Sequence, residues 1–292
     1  MNNARLVFIH ALSPLHAGTG QGVGVIDLPI AREKATNLPF LPGSSLKGPL
    51  RDLCPAESRV RIFGPETDKA GDHAGSVQLS DQRLLLLPVR SLAGTFAWVT
   101  SPLILARFIR DVIETGMDVG ELSTAPPRPS SPEHCLVASA EPAISLPLGG
   151  ARQVVLEDLD LVATADADVQ KWAAWIGERL FPGETVWQNL LHERICVIHD
   201  DVLAFLLNTA TEITARVRLL PDTKTVAQGG LWYEEALPAE TVLAGLLVAT
   251  PIKATATEVF TVIAGLTGSV LQLGGKATVG RGLCRVQLAE RR

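Results

Sequence analysis

The sequence predicts an α+β fold. Strand-like and helix-like segments are mixed along the 292 residues without the regular strand–helix alternation of a doubly wound sheet. Hydrophobic residues make up 47% of the chain and charged residues 20%, which is typical of a folded protein with one large core or two modest ones. The sequence has no internal repeat of solenoid length. We therefore expect one mixed α+β fold.

The chain begins with a predicted β-strand over residues 6–12. A glycine-rich segment follows it, and residues 23–28 are predicted as a short second strand that ends at Pro29. The opening residues lack the apolar stretch of a secretory signal, and no apolar run reaches the roughly 18 residues that span a bilayer. We therefore expect a cytoplasmic protein with no membrane partner.

The segment 41–53 predicts a turn that leads into a helix. Ser44 or Ser45 is the predicted N-cap, because a serine hydroxyl accepts hydrogen bonds from the free N–H groups of a first turn. Pro49 lies beyond that turn and cannot donate a backbone hydrogen bond. We therefore expect this helix to begin irregularly.

Four further helices are predicted from apolar residues at helical spacing. The first starts at Ser101, with Pro102 in the favourable first helical position, and the third is expected to be capped by Asp200. The apolar faces of the four are formed by Leu105, Phe108, Ile109, Val112 and Ile113; Val169, Trp172, Ala173, Ile176 and Leu180; Leu203, Leu206, Leu207 and Ala210; and Val259, Val262, Ile263 and Leu266. The proline-rich residues 124–132 predict an exposed loop. Further strands are predicted at 154–156, 193–198, 215–219, 243–249 and 283–288.

The cysteines and the overall charge limit the function classes. Four scattered cysteines without a C-x-x-C pair fit reduced core thiols better than disulfides or structural zinc. A zinc site at His192, Cys196 and His199 is a minor alternative that lacks a fourth ligand. The net charge of −5 argues against a protein that coats nucleic acid indiscriminately. Positive charge is concentrated in the last seventeen residues, which contain Lys276, Arg281, Arg285, Arg291 and Arg292.

Two glycine-rich segments at opposite ends of the chain carry most of the functional information. They run over residues 16–27, ending at Asp27, and over residues 274–282. Glycine lets a backbone approach a phosphate or another chain closely, because it has no Cβ. A dinucleotide loop is a weaker interpretation, since such a loop needs a helix directly after it and residues 23–29 look β-like. Tight structural loops are the plain alternative.

The two segments, taken with a central element, resemble a known family. A first strand, His-x-Gly-x-Gly from His16, the run Pro-Gly-Ser-Ser-Leu-Lys-Gly-x-Leu-Arg at 42–51, and a C-terminal Gly-Gly-Lys-x-Thr-x-Gly-Arg-Gly loop resemble the RAMP superfamily of CRISPR proteins. Within it, residues 23–33 and 231–238 resemble the backbone nuclease subunits of type III-B, or Cmr, effector complexes. The resemblance covers both ends of the chain and the region 215–240.

This resemblance implies a single RAMP domain over residues 1–292. It implies an RRM-like (ferredoxin-like) palm from residues 1–60 and 195–292, a finger or helical insertion over 61–194, and a thumb hairpin over 216–238 within the palm, its tip at 223–230. The implied partners are a CRISPR guide RNA, a complementary target RNA, other Cmr-type RAMP subunits, small helical subunits, and copies of this chain in a helical filament. The implied activity is cleavage of the target at regular intervals by attack of a 2′-hydroxyl.

Asp27 matches the family's catalytic aspartate. It would orient the 2′-hydroxyl or act as the one protein ligand of Mg²⁺ or another divalent cation, which often takes only one or two carboxylates. Guide-RNA contacts are implied for His16, Gly18, Gly20, Ser44, Ser45, Lys47, Arg51, Gly274, Gly275, Lys276, Gly280 and Arg281. Base displacement by the thumb is implied for Lys224, Gln228 and Trp232.

Plainer roles stay open for these residues. Asp27 could cap the turn before Pro29, Lys47 could be a solvated lysine, and Trp232 could pack on the palm. Arg32 and Lys34 either neutralise the reacting phosphate or are solvated. At the level of the whole protein, the alternatives are a non-catalytic RNA-binding RAMP scaffold, a guide-processing endoribonuclease that uses a histidine, and a small-nucleotide enzyme.

Overall fold

The structure, a computed structural model, describes residues 3–20, 22, 25–69 and 71–290. The α-helices of this part of the chain are α1 (Gly43–Leu53), α2 (Ala56–Phe63), α3 (Pro102–Thr115), α4 (Ala167–Leu180), α5 (Thr185–Arg194), α6 (Asp200–Thr209) and α7 (Ala256–Leu266). The strands are β1 (Ala4–Ala11), β2 (Phe40–Leu41), β3 (Val77–Leu79), β4 (Gln82–Arg90), β5 (Phe96–Thr100), β6 (His134–Val137), β7 (Ser145–Leu148), β8 (Ala151–Leu156), β9 (Leu159–Ala165), β10 (Ile195–Ile198), β11 (Glu212–Leu219), β12 (Val226–Ala236), β13 (Val242–Ala249), β14 (Leu271–Gln272) and β15 (Leu283–Leu288).

Four antiparallel strands form a ferredoxin-like unit. Their spatial order is β15-β1-β13-β4, and their order along the chain is β1, β4, β13, β15. The register places Phe8 opposite Ala244 on β13 and opposite Gln287 on β15. Helix α1 lies between the first two of these strands in sequence and α7 between the last two, and the two helices are in contact. The predicted α+β fold with a ferredoxin-like core is therefore confirmed.

The sheet continues beyond this unit into the middle of the chain. Strand β5 pairs antiparallel with β4, and β10, β6, β9, β8 and β7 follow in that spatial order. Large aromatic side chains fill the core here, with Trp98, Trp172 and Phe181 fully buried. Strand β4 lies inside the range 61–194 although it is one of the four strands of the ferredoxin-like unit. The inserted material along the chain therefore falls between β4 and β13.

Strands β11 and β12 form a separate two-stranded hairpin. Their register runs from Glu212 opposite Ala236 to Leu219 opposite Val226, with one irregularity near Val217. The connecting turn is closed by hydrogen bonds from Leu220 N–H to Thr225 O and from Lys224 N–H to Leu220 O, at 2.8 and 3.0 Å. The turn therefore spans residues 220–225, shorter than the predicted tip at 223–230, and Gln228 lies within β12.

The helix starts show where local signals failed. Helix α1 has Pro42 as its N-cap, and its first N–H, from Gly43, is satisfied by the Asp81 carboxylate at 2.9 Å. The predicted caps Ser44 and Ser45 lie inside the first turn instead. In the same way His199, not Asp200, caps α6, because its ring nitrogen accepts the Asp201 N–H.

Residues 25–28 do not form the predicted second strand. Residues 23 and 24 of the predicted second strand lie outside the described residues, and residues 25–28 form only a single bridge, from Leu28 to Glu234.

All four cysteines are buried and free, as predicted. Contact with Cys135 and burial together raise the pKa of the Cys196 thiol. Across the described ranges, no helix is long and apolar enough to cross a membrane.

Candidate RNA-binding groove and catalytic aspartate

The two glycine-rich segments meet at His16. Its backbone carbonyl accepts a hydrogen bond from Gly275 N–H at 2.9 Å, so the chain ends pair although they are distant in sequence. The ring lies against Gly18, where any Cβ would overlap the imidazole, and Gly274 has a φ of +70° beside the His16 carbonyl. Glycine is required at both positions, for space at the first and for the left-handed backbone at the second.

His16 itself is 6% exposed. Its Nδ1 lies 2.6 Å from the backbone oxygen of Glu235, and because a carbonyl only accepts, this nitrogen carries the proton. The ring joins the first glycine-rich segment to β12, so the His16 side chain has a structural role.

A groove of about 520 Å³ lies where these segments meet helix α1. Seven of the predicted RNA-contact residues line it: His16, Gly18, Gly20, Ser45, Gly274, Gly275 and Lys276. Ala17, Leu28 and Pro49 complete the wall. We call this surface the glycine groove. It combines backbone surface, one hydroxyl and one ammonium group, which suits contacts to the sugar–phosphate backbone of a nucleic acid rather than to its bases.

Asp27 directly precedes a residue of the groove wall. Its neighbour Leu28 lines the groove, and its other neighbour, Ile26, lines a second depression of about 330 Å³. The Asp27 side chain is exposed, and its Oδ2 accepts the Tyr233 N–H at 2.8 Å. The flanking backbone is also fixed, since Leu28 N–H donates to Tyr233 O and Glu235 N–H donates to Leu28 O. One carboxylate oxygen is thus held by β12 and the carboxylate faces solvent.

Glu234 and Glu235 hold the surrounding segments together. Successive side chains of a strand point to opposite faces, so the two carboxylates act on opposite sides of β12. Both are 3% exposed. The Glu235 carboxylate accepts from Arg32 at 2.6 Å, from Ile30 N–H at 3.1 Å and from Thr211 at 3.0 Å. Arg32 is therefore occupied in fixing the loop after Asp27.

The Glu234 carboxylate links the groove to the hairpin. It accepts from Lys276 at 2.7 Å, from the Trp232 indole at 2.8 Å and from Arg216 at 3.3 Å. Burial alone raises the pKa of Glu234, but the hydrogen bonds from Lys276, Trp232 and Arg216 outweigh it and lower the pKa from 4.5 to about 2. A negative charge is therefore retained at neutral pH beside two positive ones.

This ion cluster predicts a pH dependence of folding. Because the folded-state pKa of Glu234 is depressed, its stabilisation is complete above its ordinary value of 4.5 and is lost as the pH falls towards 2. The difference corresponds to about 3 kcal/mol. We expect the free energy of unfolding, measured with urea, to fall less in the Glu234→Gln variant than in wild type as the pH is lowered from 4.5 to 2. Parallel curves for the two proteins would assign the acid sensitivity to other groups.

The other predicted contact residues are placed outside the groove walls. Ser44 is exposed at the start of α1, and Lys47 and Gly280 also lie off the lining. The Arg51 guanidinium donates to Gly64 O at 2.7 Å and pairs with Glu66 at 2.9 Å, so it joins α1 to the end of α2. Arg281 is 7% exposed and bonds Thr214 and Glu212 at the base of the hairpin.

The predicted thumb residues are spread along the hairpin. Lys224 is exposed at the turn with a φ of +54°, and Gln228 is exposed on β12. Trp232 is half-buried near the base and is held by Glu234. Sequence reasoning missed Glu234 and Glu235 as organising residues. Two adjacent acids near the end of a strand were the available signal, but their partners lie up to 205 positions away in the chain.

Within the described part of the chain, the acidic side chains near the groove differ in whether they could hold a divalent cation. Across residues 3–20, 22, 25–69 and 71–290, no group of three or more His, Cys, Asp or Glu side chains could hold a metal ion. Asp27 keeps a solvent-facing carboxylate, whereas Glu234 and Glu235 are buried and already bound to Lys276 and Arg32. A single carboxylate fits Mg²⁺, which takes its remaining ligands from water and phosphate oxygens.

Known proteins resemble this chain over nearly its whole length. The RAMP superfamily profile matches residues 8–285. The CRISPR system Cmr endoribonuclease Cmr4 of Pyrococcus furiosus is 37% identical over 98% of this chain and 96% of its own length. The crystal structure of oligomeric Cmr4 from the same organism superposes with a TM-score of 0.76 at 30% identity, covering 99% of each chain.

A more distant structure supports the fold alone. A chain in the cryo-EM structure of the type III-B Cmr-beta bound to cognate target RNA has a TM-score of 0.74 at 19% identity, over 99% of this chain and 98% of its own. The CRISPR system CMR subunit Cmr4 of Saccharolobus solfataricus is 26% identical over 96% of this chain and 94% of its own length. The family profile matches residues 8–285, and the Pyrococcus relative is 37% identical over 98% of this chain. The chain therefore belongs to the RAMP superfamily.

Proposed function

We propose that this chain is the guide-RNA-binding endoribonuclease subunit of a type III-B CRISPR effector and that it cleaves complementary target RNA. The observation that carries the proposal is the position of Asp27, which is fixed by β12 and directly precedes Leu28 on the wall of the glycine groove. Support comes from the 37% identity to a protein named as a Cmr endoribonuclease. The guide strand lies in the glycine groove, where Lys276 and the glycine backbones meet its phosphates irrespective of sequence.

We also propose that the chain acts within a filament of subunits. Other Cmr-type RAMP subunits, small helical subunits and further copies of this chain form a filament along the guide, as the oligomeric crystal structure of the Pyrococcus relative suggests. The palm consists of the β15-β1-β13-β4 unit with α1 and α7, so it includes residues 82–90 in addition to 1–60 and 195–292. Residues 91–194, which lie between β4 and β13, form the finger, and the β11–β12 hairpin forms the thumb. The cytoplasmic location stays a prediction.

The chemistry assigned to Asp27 is activation of a ribose hydroxyl. The 2′-oxygen attacks the adjacent phosphorus, the bond from phosphorus to the 5′-oxygen breaks, and the leaving oxygen takes a proton from solvent. Because Tyr233 N–H fixes Oδ2, the carboxylate is oriented to accept the hydrogen bond of the attacking hydroxyl and then its proton. Mg²⁺ bound to Asp27 would neutralise charge on the phosphate oxygens. The thumb residues Lys224, Gln228 and Trp232 displace a base pair, which frees the backbone to reach in-line geometry.

The test uses the complex reconstituted with guide RNA and its partner subunits. End-labelled complementary RNA and Mg²⁺ are added, and the products are sized and their ends identified. We expect a ladder of regular spacing whose fragments carry a cyclic phosphate and a 5′-hydroxyl. Fragments with a 5′-phosphate would identify water as the nucleophile and contradict the mechanism. Tight binding without cutting would leave a scaffold, and cutting of hairpin repeat RNA by the isolated chain would indicate guide processing.

A further inference from the structure

Helix α1 passes through a proline on the wall of the glycine groove. The helix runs from Gly43 to Leu53 with Pro49 in its interior. In an α-helix the N–H of each residue donates to the carbonyl four positions earlier. Proline has no N–H, so the carbonyl of Ser45 lacks the donor that an ordinary residue at 49 would supply. The helix therefore contains one backbone acceptor without its standard partner.

This acceptor belongs to the groove. Residues four apart lie on the same face of a helix, and both Ser45 and Pro49 line the glycine groove together with Lys276. The opposite face of α1 is in the core, where Leu46 and Leu50 are buried. The interrupted hydrogen bond is consequently on the solvent-facing side of the helix, beside the place where a bound strand would run.

The Ser45 carbonyl can bind only those nucleic-acid groups that donate a hydrogen bond. A carbonyl oxygen only accepts hydrogen bonds, and phosphate oxygens offer it none. The sugar–phosphate backbone of RNA carries one donor, the ribose 2′-hydroxyl, and DNA lacks it. We propose that the Ser45 carbonyl accepts a hydrogen bond from a ribose 2′-hydroxyl in the glycine groove and so selects RNA over DNA at this position. The proposal rests on the proposed function, because it requires the guide strand to lie in this groove.

The experiment restores the missing N–H. In Pro49→Ala, residue 49 can donate to the Ser45 carbonyl, which gives that carbonyl its standard partner and leaves the Ser45 and Lys276 side chains unchanged. The matched control is Gly48→Ala, which adds a methyl group into open space in the same helix and leaves residue 49 unchanged. Affinities of the full chain are measured for labelled single-stranded RNA of mixed sequence, for DNA of the same sequence, and for the 2′-fluoro form of the RNA.

We expect wild type and Gly48→Ala to bind RNA more tightly than DNA or 2′-fluoro RNA, since fluorine cannot donate. Pro49→Ala should weaken RNA binding by about twofold to tenfold per contacted ribose and leave DNA binding unchanged. Unchanged RNA affinity in Pro49→Ala would overturn the inference while sparing the groove assignment. Equal wild-type binding of RNA and 2′-fluoro RNA would also overturn it, and this arm does not depend on the folding of any variant. Wild type that binds no RNA would contradict the proposed function as well.

Discussion

Replacing Asp27 by asparagine is expected to slow target-RNA cleavage by about 10²- to 10⁴-fold, the usual contribution of a positioned acid–base group. Asparagine keeps the size of the side chain, and its carbonyl oxygen can still accept the Tyr233 N–H that holds Asp27. The substitution removes the charge and the ability to take a proton. The local structure and the binding of guide and target should therefore persist while the reaction fails.

The measurement is single-turnover cleavage of end-labelled target by the reconstituted complex, with target affinity measured in parallel. Asp158→Asn is the matched control, because Asp158 is an exposed aspartate in the turn between β8 and β9. The control should cleave at the wild-type rate. An undiminished ladder from the Asp27 variant would move catalysis to another residue, and a parallel loss of target affinity would make Asp27 a binding residue.

Replacing Gly282 by alanine is expected to destabilise the protein by about 3 kcal/mol or more. Gly282 has a φ of +77°, which an L-residue adopts at a cost, and a Cβ there would overlap the carbonyl oxygen of Leu273. The same glycine donates to Pro14 O at 2.9 Å and accepts from Leu273 N–H at 2.8 Å. The clash would therefore separate the C-terminal glycine segment from the chain that leads to His16.

Gly280 provides the control for this substitution. Its φ of +79° is nearly the same, but a Cβ at this position has open space around it. Gly280→Ala should thus cost only about 1 kcal/mol, from the backbone conformation alone. Urea unfolding of the two variants separates the cost of the backbone conformation from the cost of the steric overlap. Equal losses in the free energy of unfolding would show that the carbonyl of Leu273 moves aside without cost. The Gly282 variant should also bind RNA more weakly, because the glycine groove depends on this junction.

Local patterns determined the elements whose signals are complete within a short segment. The helical spacing at 169–180 and at 259–266 predicted α4 and α7, and the strand predicted at 283–288 coincides with β15. Helix α5 was not predicted, and the cap of α1 was misassigned, because its first N–H is satisfied by Asp81, thirty-eight residues away. A distant carboxylate replaced the hydroxyl that local propensity favours.

The sequence by itself determined the α+β class, the hairpin region, the two glycine-rich segments and Asp27 as the residue to test. Only the tertiary structure decided that these segments pair through His16 and Gly275, and that Glu234 and Glu235 bind Lys276 and Arg32 on opposite sides of β12. The physical reason is that backbone propensity and hydrophobic periodicity are local, whereas the partner of a buried charge is set by the fold. A buried carboxylate must find its cations wherever the chain brings them.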